Sequence, residues 1–329
     1  MDIACRSARF LAMGQRSGVT VVHGAWRVID CSDFEGRLCY ERGRMMVLPR
    51  AADGSEAEPA EVPLAQTAVL LLGLKAVCST ALLFELAQNG VSVLLCDWRG
   101  VPVGAMESWS ETATVVATRH RAQAAMSLPR LKNAWKRIVK AKIRGQAHCL
   151  GLCGRPGGEL LRNLAKTVQS GDPSNVEGHA AREYWQRIFP AEEEFQRKPG
   201  SGTPRNSQLD YAYTVLRGFV IRAVLTAGLD PTFGVNHHNR SNYFCLADDL
   251  IEPYRSAVDV KIAQLSDNDS VSDKDVKRFL VDAVNAQFGE SGLTIPSSLN
   301  SFAQQYGLYC EGKRDVLPVP VFGGGDGED

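Results

Sequence analysis

Residues 228–259 read GLDPTFGVNHHNRSNYFCLADDLIEPYRSAVD, and this stretch governs how the rest of the chain is read. It sets a histidine pair, His237 and His238, shortly before the carboxylates Asp248, Asp249 and Glu252. Apolar residues at Phe244, Leu246, Leu250, Ile251, Tyr254 and Val258 predict one helix from Phe244 to about Leu265. Asp249 and Glu252 are three apart and share a face of such a helix. An imidazole and carboxylates converging on one point suit a hard or borderline divalent cation, Mg2+ or Mn2+ rather than Zn2+. A solvated acidic helix start after a Gly/Asn-rich loop explains the same residues without chemistry.

Composition sets the frame. With 329 residues the chain is long enough for two domains with cores. Its 44% hydrophobic and 22% charged content is that of an ordinary globular protein. No apolar run is long enough to span a bilayer, and the start MDIACRSARFLAMG has no signal-peptide core, so a cytoplasmic location is expected. The nine cysteines are scattered and several lie in apolar runs, which predicts reduced, buried thiols. His148, Cys149 and Cys153 resemble half a zinc site, but no second half with suitable spacing follows.

Net charge is zero, which by itself argues against a nucleic-acid partner. Its distribution argues for one. Between Thr112 and Gly158 there is no acid, while Arg119, Arg121, Arg130, Lys132, Lys136, Arg137, Lys140, Lys142, Arg144 and Arg155 all fall there. That segregation predicts a polyanion-binding surface, with contacts mainly to phosphates. A basic helix face balanced by the acidic patch 191–194 is the plainer reading.

The first hundred residues read as strands: 19–22, 26–29, 45–48, 68–71 and 91–95, with one helix over 80–89 capped by Ser79 or Thr80 and ended by Gly90. Residues 51–61 predict a mobile polar loop. Beyond Trp109 helical spacing dominates, over 112–126, 130–149, 158–170, 175–188, 206–227, 244–265 and 273–288. The expected fold is therefore α+β. A small β-rich N-terminal domain (1–108) precedes a larger all-α domain (109–329), with a disordered Gly/acid tail from about 322. No internal repeat is present.

A second motif lies at 175–185, NVEGHAAREYW. Asn175 caps a helix and Glu177 falls in its first turn. Gly178, Ala180 and Ala181 predict a close approach by another helix or a ligand. A glutamate there can simply satisfy amide donors and the helix dipole.

Three segments in this order carry a resemblance. NVEGHAAREYW, then NSQLDYAYTVLRGFVIRAVLTAGLDP (206–231), then FGVNHHNRSNYFCLADDLIEPYRSAVD (233–259) are similar to successive elements of the CRISPR-associated integrase family, the universal spacer-acquisition nucleases. Together they cover about Asn175 to Asp259. IVKAKIRGQA (138–147) and ALLFELAQNGVSVLLCD (81–97) fit the same family. The HH-N-R and LADDLIEP wording looks closest to the version found beside type II, single-protein effector systems.

The resemblance implies a metal triad of Glu177, His237 and Glu252, which would also be the catalytic residues. His237 is preferred to His238 because it follows Gly234 in the G-x-x-H spacing. Asp249 stands where some members carry a further acid, so it is expected to take a second cation or to orient His237; His238 is an additional candidate in the same supporting role. The implied reaction is attack of a DNA 3′-hydroxyl on a phosphodiester, inserting a captured fragment into a repeat array with Mg2+ or Mn2+ as cofactor. The implied partners are double-stranded DNA, a second copy of the chain joined through the β-rich domain, a small second adaptation protein bridging two dimers, and the type II effector nuclease. A stand-alone metal-dependent nuclease and a non-enzymatic helical DNA-binding scaffold are the alternatives.

Overall fold

The computed structural model describes residues 20–22, 27–50, 59–65, 67–98, 102–106, 108, 115–190, 194–288 and 292–324. The expectations for 19, 26, 51–58, 112–114, 191–193 and 325–329 lie outside the described residues. The chain divides into two compact units, residues 1–110 with 272–282, and residues 111–271 with 283–329.

Among the described residues, the first unit has nine strands: β1 (Thr20–Val22), β2 (Arg27–Cys31), β3 (Gly36–Glu41), β4 (Arg44–Pro49), β5 (Ala60–Pro63), β6 (Thr67–Leu72), β7 (Ala76–Cys78), β8 (Ser92–Cys96) and β9 (Pro102–Met106). They form two sheets, ordered β1-β2-β6-β8-β9 and β5-β4-β3-β7. In the first, β2, β6 and β8 run parallel. The run TAVLLL of β6 is buried at every position, as a central strand of a parallel set should be. β3 and β4 pair directly from Glu41 to Arg44, so Arg42 and Gly43 form a two-residue turn. Both adopt the positive φ that such a hairpin turn requires.

Helix α1 (Thr80–Gln88) starts where expected, with the Ser79 side chain accepting from Leu82 N. It ends before Gly90, whose φ is +63°. Leu82 and Leu86 pack into a core with Ile29, Leu70 and Val93 of one sheet and Leu38, Met45 and Val47 of the other. The sequence reading did not anticipate β3, β5, β7 and β9. They are only partly buried, and β3 and β5 mix charged with apolar residues while β7 has three residues and β9 carries a proline and a glycine. A linear domain boundary also misses that 272–282 belongs to this unit. There Lys277 Nζ lies 2.8 Å from Asp33 Oδ2 and 3.1 Å from buried Asp30 Oδ2.

The second unit is helical: α2 (Val116–Ala124), α3 (Leu128–Leu152), α4 (Gly158–Thr167), α5 (Val176–Ile188), α6 (Pro204–Thr226), α7 (Cys245–Leu250), a 3-10 turn (Glu252–Tyr254), α8 (Arg255–Ile262) and α10 (Ile295–Cys310). Between the last two, α9 (Lys274–Val284) lies mostly in the first unit. The long helix α3 packs against α4, α5, the 3-10 turn and α8. A Cβ at Gly145 of α3 would stand 2.6 Å from Ser256 Oγ, so a larger residue there would force Ser256 or the crossing to shift.

Several expectations are corrected here. The helix over 244–265 is interrupted, because Pro253 lacks an N–H and its ring clashes with the preceding turn. No helix was expected after Phe288, yet α10 is one of the longer helices and is well buried. The C-terminal tail does not begin at 322: the Phe322 ring packs edge-on against His148 at 4.9 Å and stacks with Phe288 at 5.9 Å.

The basic stretch is not one continuous phosphate-facing surface. Arg119 is buried, with Nε 2.9 Å from Glu311 Oε1 and Nη1 2.8 Å from Gln304 Oε1. Lys140 is buried as well. Arg130 donates to the carbonyls of Tyr309 and Arg314 and lies over the Tyr309 ring, and Arg137 donates to the carbonyl of Leu317. These cations hold the C-terminal segment rather than facing solvent. Arg144 and Lys136 are half-buried, and Arg121 and Lys132 are exposed. Among the described residues, no helix is long and apolar enough to cross a membrane.

Candidate active site

All three sequence-selected ligands lie in the helical unit. Glu177 enters at the start of α5. Asn175, with φ +51°, caps the helix by accepting from Gly178 N. Asp172 accepts from the amides of Val176 and Glu177 at 2.9 Å each. The first-turn donors are therefore satisfied by Asp172 and Asn175, and the Glu177 carboxylate is released from a capping role. Gly178 serves the cap too: a Cβ there would stand 2.7 Å from the Asn175 side chain. The close approach it was expected to provide is to its own cap, not to another helix.

The Glu177 carboxylate points to α3. Its Oε1 lies 2.5 Å from Lys142 Nζ, and the same nitrogen lies 2.6 Å from Glu252 Oε2. Two carboxylates far apart in sequence thus meet at one cation. The Lys142–Glu252 contact lies off the line of a good hydrogen bond, and Oε2 has no aligned donor. Charge rather than directed bonding carries it. Lys142 was expected to meet phosphate; it faces acids instead.

Glu252 is buried and its Oε1 accepts from Arg255 Nε at 2.9 Å. Burial pushes its carboxyl upward, but the neighbouring Arg255 and Lys142 charges prevail and bring it down to about 2. Burial likewise opposes the charged Lys142 amine, and Glu252 and Glu177 outweigh it, raising the amine above its ordinary value. The break at Pro253 places Glu252 at the junction of α7 and α8.

His237 is held by Asp249. The Asp249 carboxylate is fully buried, and its Oδ2 accepts from the amides of Val235, Asn236 and His237 at 2.6, 2.9 and 3.3 Å. Its Oδ1 lies 2.5 Å from His237 Nδ1. Gly234 makes the wrap feasible, since a Cβ there would stand 2.2 Å from the His237 carbonyl oxygen. With Nδ1 bonded to a carboxylate, Nε2 is the nitrogen left to act. The bond to Asp249 outweighs burial and raises the imidazole above its ordinary value.

The ring is about half exposed and stands edge-on to Trp135, 5.9 Å away, two turns before Lys142 on α3. One face of α3 therefore lines both the imidazole and the paired carboxylates. His238 is exposed and has no hydrogen-bond or ring partner among the described residues.

The acidic cluster separates by role. Both oxygens of Asp249 are engaged by the His237 loop, Oδ2 by backbone amides and Oδ1 by the imidazole. Asp248 faces elsewhere, paired with Arg217 through both oxygens at 2.6 and 3.0 Å and accepting from Asn242. In this arrangement Glu177 and Glu252 converge. Among the described residues, no group of three or more His, Cys, Asp or Glu side chains surrounds one ion-sized point.

Sequence reasoning missed the support beneath Glu252. The Arg255 guanidinium lies over the Tyr213 ring at 4.5 Å, and the Tyr213 and Tyr184 hydroxyls donate to buried Asp259 at 2.5 and 2.8 Å. The Y-x-Y and R-x-x-x-D spacings held this signal, but neither says which partners meet. Burial raises the Asp259 carboxyl to about 6, against the two hydroxyl donors and Arg255. A carboxyl raised on folding contributes stability fully below its ordinary value, and that contribution is lost as pH rises through about 6. Relative to Asp259→Asn, the wild type should lose on the order of 3 kcal/mol between about pH 4 and pH 7. Urea midpoints of both proteins across that range check it; parallel profiles would exclude it.

Residues 33–284 match the family described as CRISPR associated protein Cas1. The CRISPR-associated endonuclease Cas1 of Neisseria meningitidis is 33% identical over 232 residues, covering 70% of this chain and 73% of that protein. The CRISPR-associated endonuclease Cas1 3 of Thermus thermophilus is 31% identical over 269 residues, covering 77% and 78%. Among solved structures, a casposase bound to integration product superposes with a TM-score of 0.69 at 18% identity, covering 88% of this chain and 91% of that one. At such identity the likeness is one of fold. The family match spans most of the chain and includes Glu177, His237 and Glu252, and on that ground the protein belongs to the Cas1 family.

Proposed function

We propose that this chain is a metal-dependent DNA endonuclease and integrase, which joins captured DNA fragments into a CRISPR repeat array by attack of a 3′-hydroxyl on a phosphodiester. The observation that carries the reading is the meeting of Glu177 and Glu252 at one cationic position on α3, the helix whose Trp135 also meets the ring of His237, a histidine whose Nδ1 is already engaged. The names of its relatives, CRISPR-associated endonucleases, support the nuclease part of this reading, and its fold is like that of a casposase solved with an integration product.

The donor set fits a hard divalent cation. Two carboxylates already gather around positive charge, buried Glu252 Oε2 has no aligned hydrogen-bond donor, and His237 offers Nε2. Glu177, His237 and Glu252 would hold Mg2+ or Mn2+. When bound, the ion neutralises phosphate charge and lowers the pKa of the attacking oxygen. The protein's own part is placement. Asp172 and Asn175 fix the start of α5 and with it Glu177. Arg255 fixes Glu252, and Asp249 fixes the imidazole ring and its tautomer.

Double-stranded DNA is the substrate, and exposed Arg121 and Lys132 with half-buried Lys136 are among the members of the basic stretch that can meet its phosphates. Its partners are a second copy of the chain, joined through the β-rich unit, and the small adaptation protein Cas2, as in the solved Cas6-RT-Cas1--Cas2 complex, which has a TM-score of 0.69 at 19% identity. The test is strand transfer of a short duplex into a repeat-containing plasmid with Mn2+, followed by chelation and by Glu177→Gln. Joined products that disappear under both treatments are expected. Cleavage without joining would leave a nuclease only, and products indifferent to chelation would remove the metal.

A further inference from the structure

Among the described residues, Lys142 is the cation that touches both carboxylates proposed to hold the metal. It projects from α3, and its Nζ lies 2.5 Å from Glu177 Oε1 and 2.6 Å from Glu252 Oε2. The lysine side chain is mostly buried, as is that of Glu252, and Glu177 is about one quarter exposed. In such a setting two acids without a cation between them repel strongly. Glu252 has a second cation in Arg255; among the contacts described, Glu177 has Lys142. Glu177 and Glu252 are also the carboxylates that, with His237, would hold the divalent cation.

We infer that Lys142 is a positioning residue, a resident counter-cation that holds Glu177 and Glu252 together and competes with the divalent ion for the same carboxylates. The inference rests on the proposed metal site. Binding of the ion requires the ammonium to withdraw from at least one carboxylate. The flexible four-carbon stem permits that, whereas a guanidinium fork would bind more rigidly. The competition gives a site that is assembled before the ion arrives, at the expense of affinity.

The experiment compares wild type, Lys142→Met and Glu177→Gln by Mn2+ titration, read by electron paramagnetic resonance of free Mn2+ and by thermal melts with and without Mn2+. Methionine keeps the length and apolar stem and removes the charge. Lys142→Met should bind Mn2+ about tenfold tighter or more, a ratio equivalent to about 1.4 kcal/mol. Its melting temperature should fall without metal and rise further than the wild type's on Mn2+ addition. Equal or weaker Mn2+ binding by Lys142→Met overturns the inference.

The failure of the metal site itself looks different. In that case Glu177→Gln leaves Mn2+ binding unchanged in the wild-type and Lys142→Met backgrounds alike. If Lys142→Met alone does not fold, the double variant Lys142→Met/Glu177→Gln decides. Removing the charge of Glu177, the carboxylate whose described cation is lost, should restore a cooperative melt, and no recovery overturns the proposal.

Discussion

His237→Ala is expected to reduce metal-dependent strand transfer at least about a hundredfold, while His238→Ala keeps most of it. The two histidines are adjacent, but only His237 is anchored. Asp249 Oδ1 lies 2.5 Å from its Nδ1, and Oδ2 holds the backbone amide of the same residue. That double hold fixes the ring and leaves Nε2 as the ligand atom. His238 is exposed and gains no such direction. The fold should survive the His237 substitution, because the ring is about half exposed and water can reach the oxygen it leaves. A loss of about 1 kcal/mol is expected, the net worth of one hydrogen bond. Strand-transfer assays at saturating Mn2+ together with urea melts of both variants check it. An inactive His238→Ala beside an active His237→Ala would reassign the ligand.

Asp249→Ala should be the more damaging change to stability, by about 4 kcal/mol or more. The carboxylate is fully buried and accepts three backbone amides as well as the imidazole. Each buried donor left without a partner costs ~1–3 kcal/mol, and the amides of 235–237 cannot all turn to water together. The loop carrying His237 would lose its shape, so metal affinity should also fall, by about 10- to 100-fold. Asp249→Asn is the informative companion. Its oxygen can still accept from the three amides, but its NH2 then faces Nδ1 and favours the tautomer protonated on Nε2, so it should recover stability more than metal affinity. Chemical denaturation with Mn2+ titration measures both effects. An Asp249→Ala protein within about 0.5 kcal/mol of wild type would show that the loop is held by other means.

The division between chain and fold is clearest at particular residues. Local spacing was enough for α1, with Ser79 and Gly90 at its ends, for β6 as a fully apolar strand, and for α5 with Asn175 at its cap. These features depend on contacts within a few residues, which a sequence displays directly. The three motif segments were likewise enough to select Glu177, His237 and Glu252 as candidates. The same reading failed at β3, β5, β7 and β9, which become strands through pairing with neighbouring strands rather than through their own patterning. It also passed over α10, although Ile295, Leu299, Phe302, Ala303 and Tyr306 carry a helical period.

By itself, the sequence determined the α+β class, the family and the identity of the residues offered for chemistry. Only the tertiary structure decided what each charge does. Arg119 and Lys140 read as surface cations and are buried. Arg119 meets Glu311 across 192 residues. Lys142 read as a phosphate contact and lies between two carboxylates brought in by other helices. Asp248 and Asp249 read as one acidic pair, yet one is tied to Arg217 and the other to the His237 loop. The physical reason is common to all of them. A side chain's hydrophobicity and its local helical phase are written in its neighbours along the chain. The partner that neutralises a charge is chosen by helix crossings, such as the close contact Gly145 permits between α3 and Ser256, and those crossings are settled only when the whole unit packs.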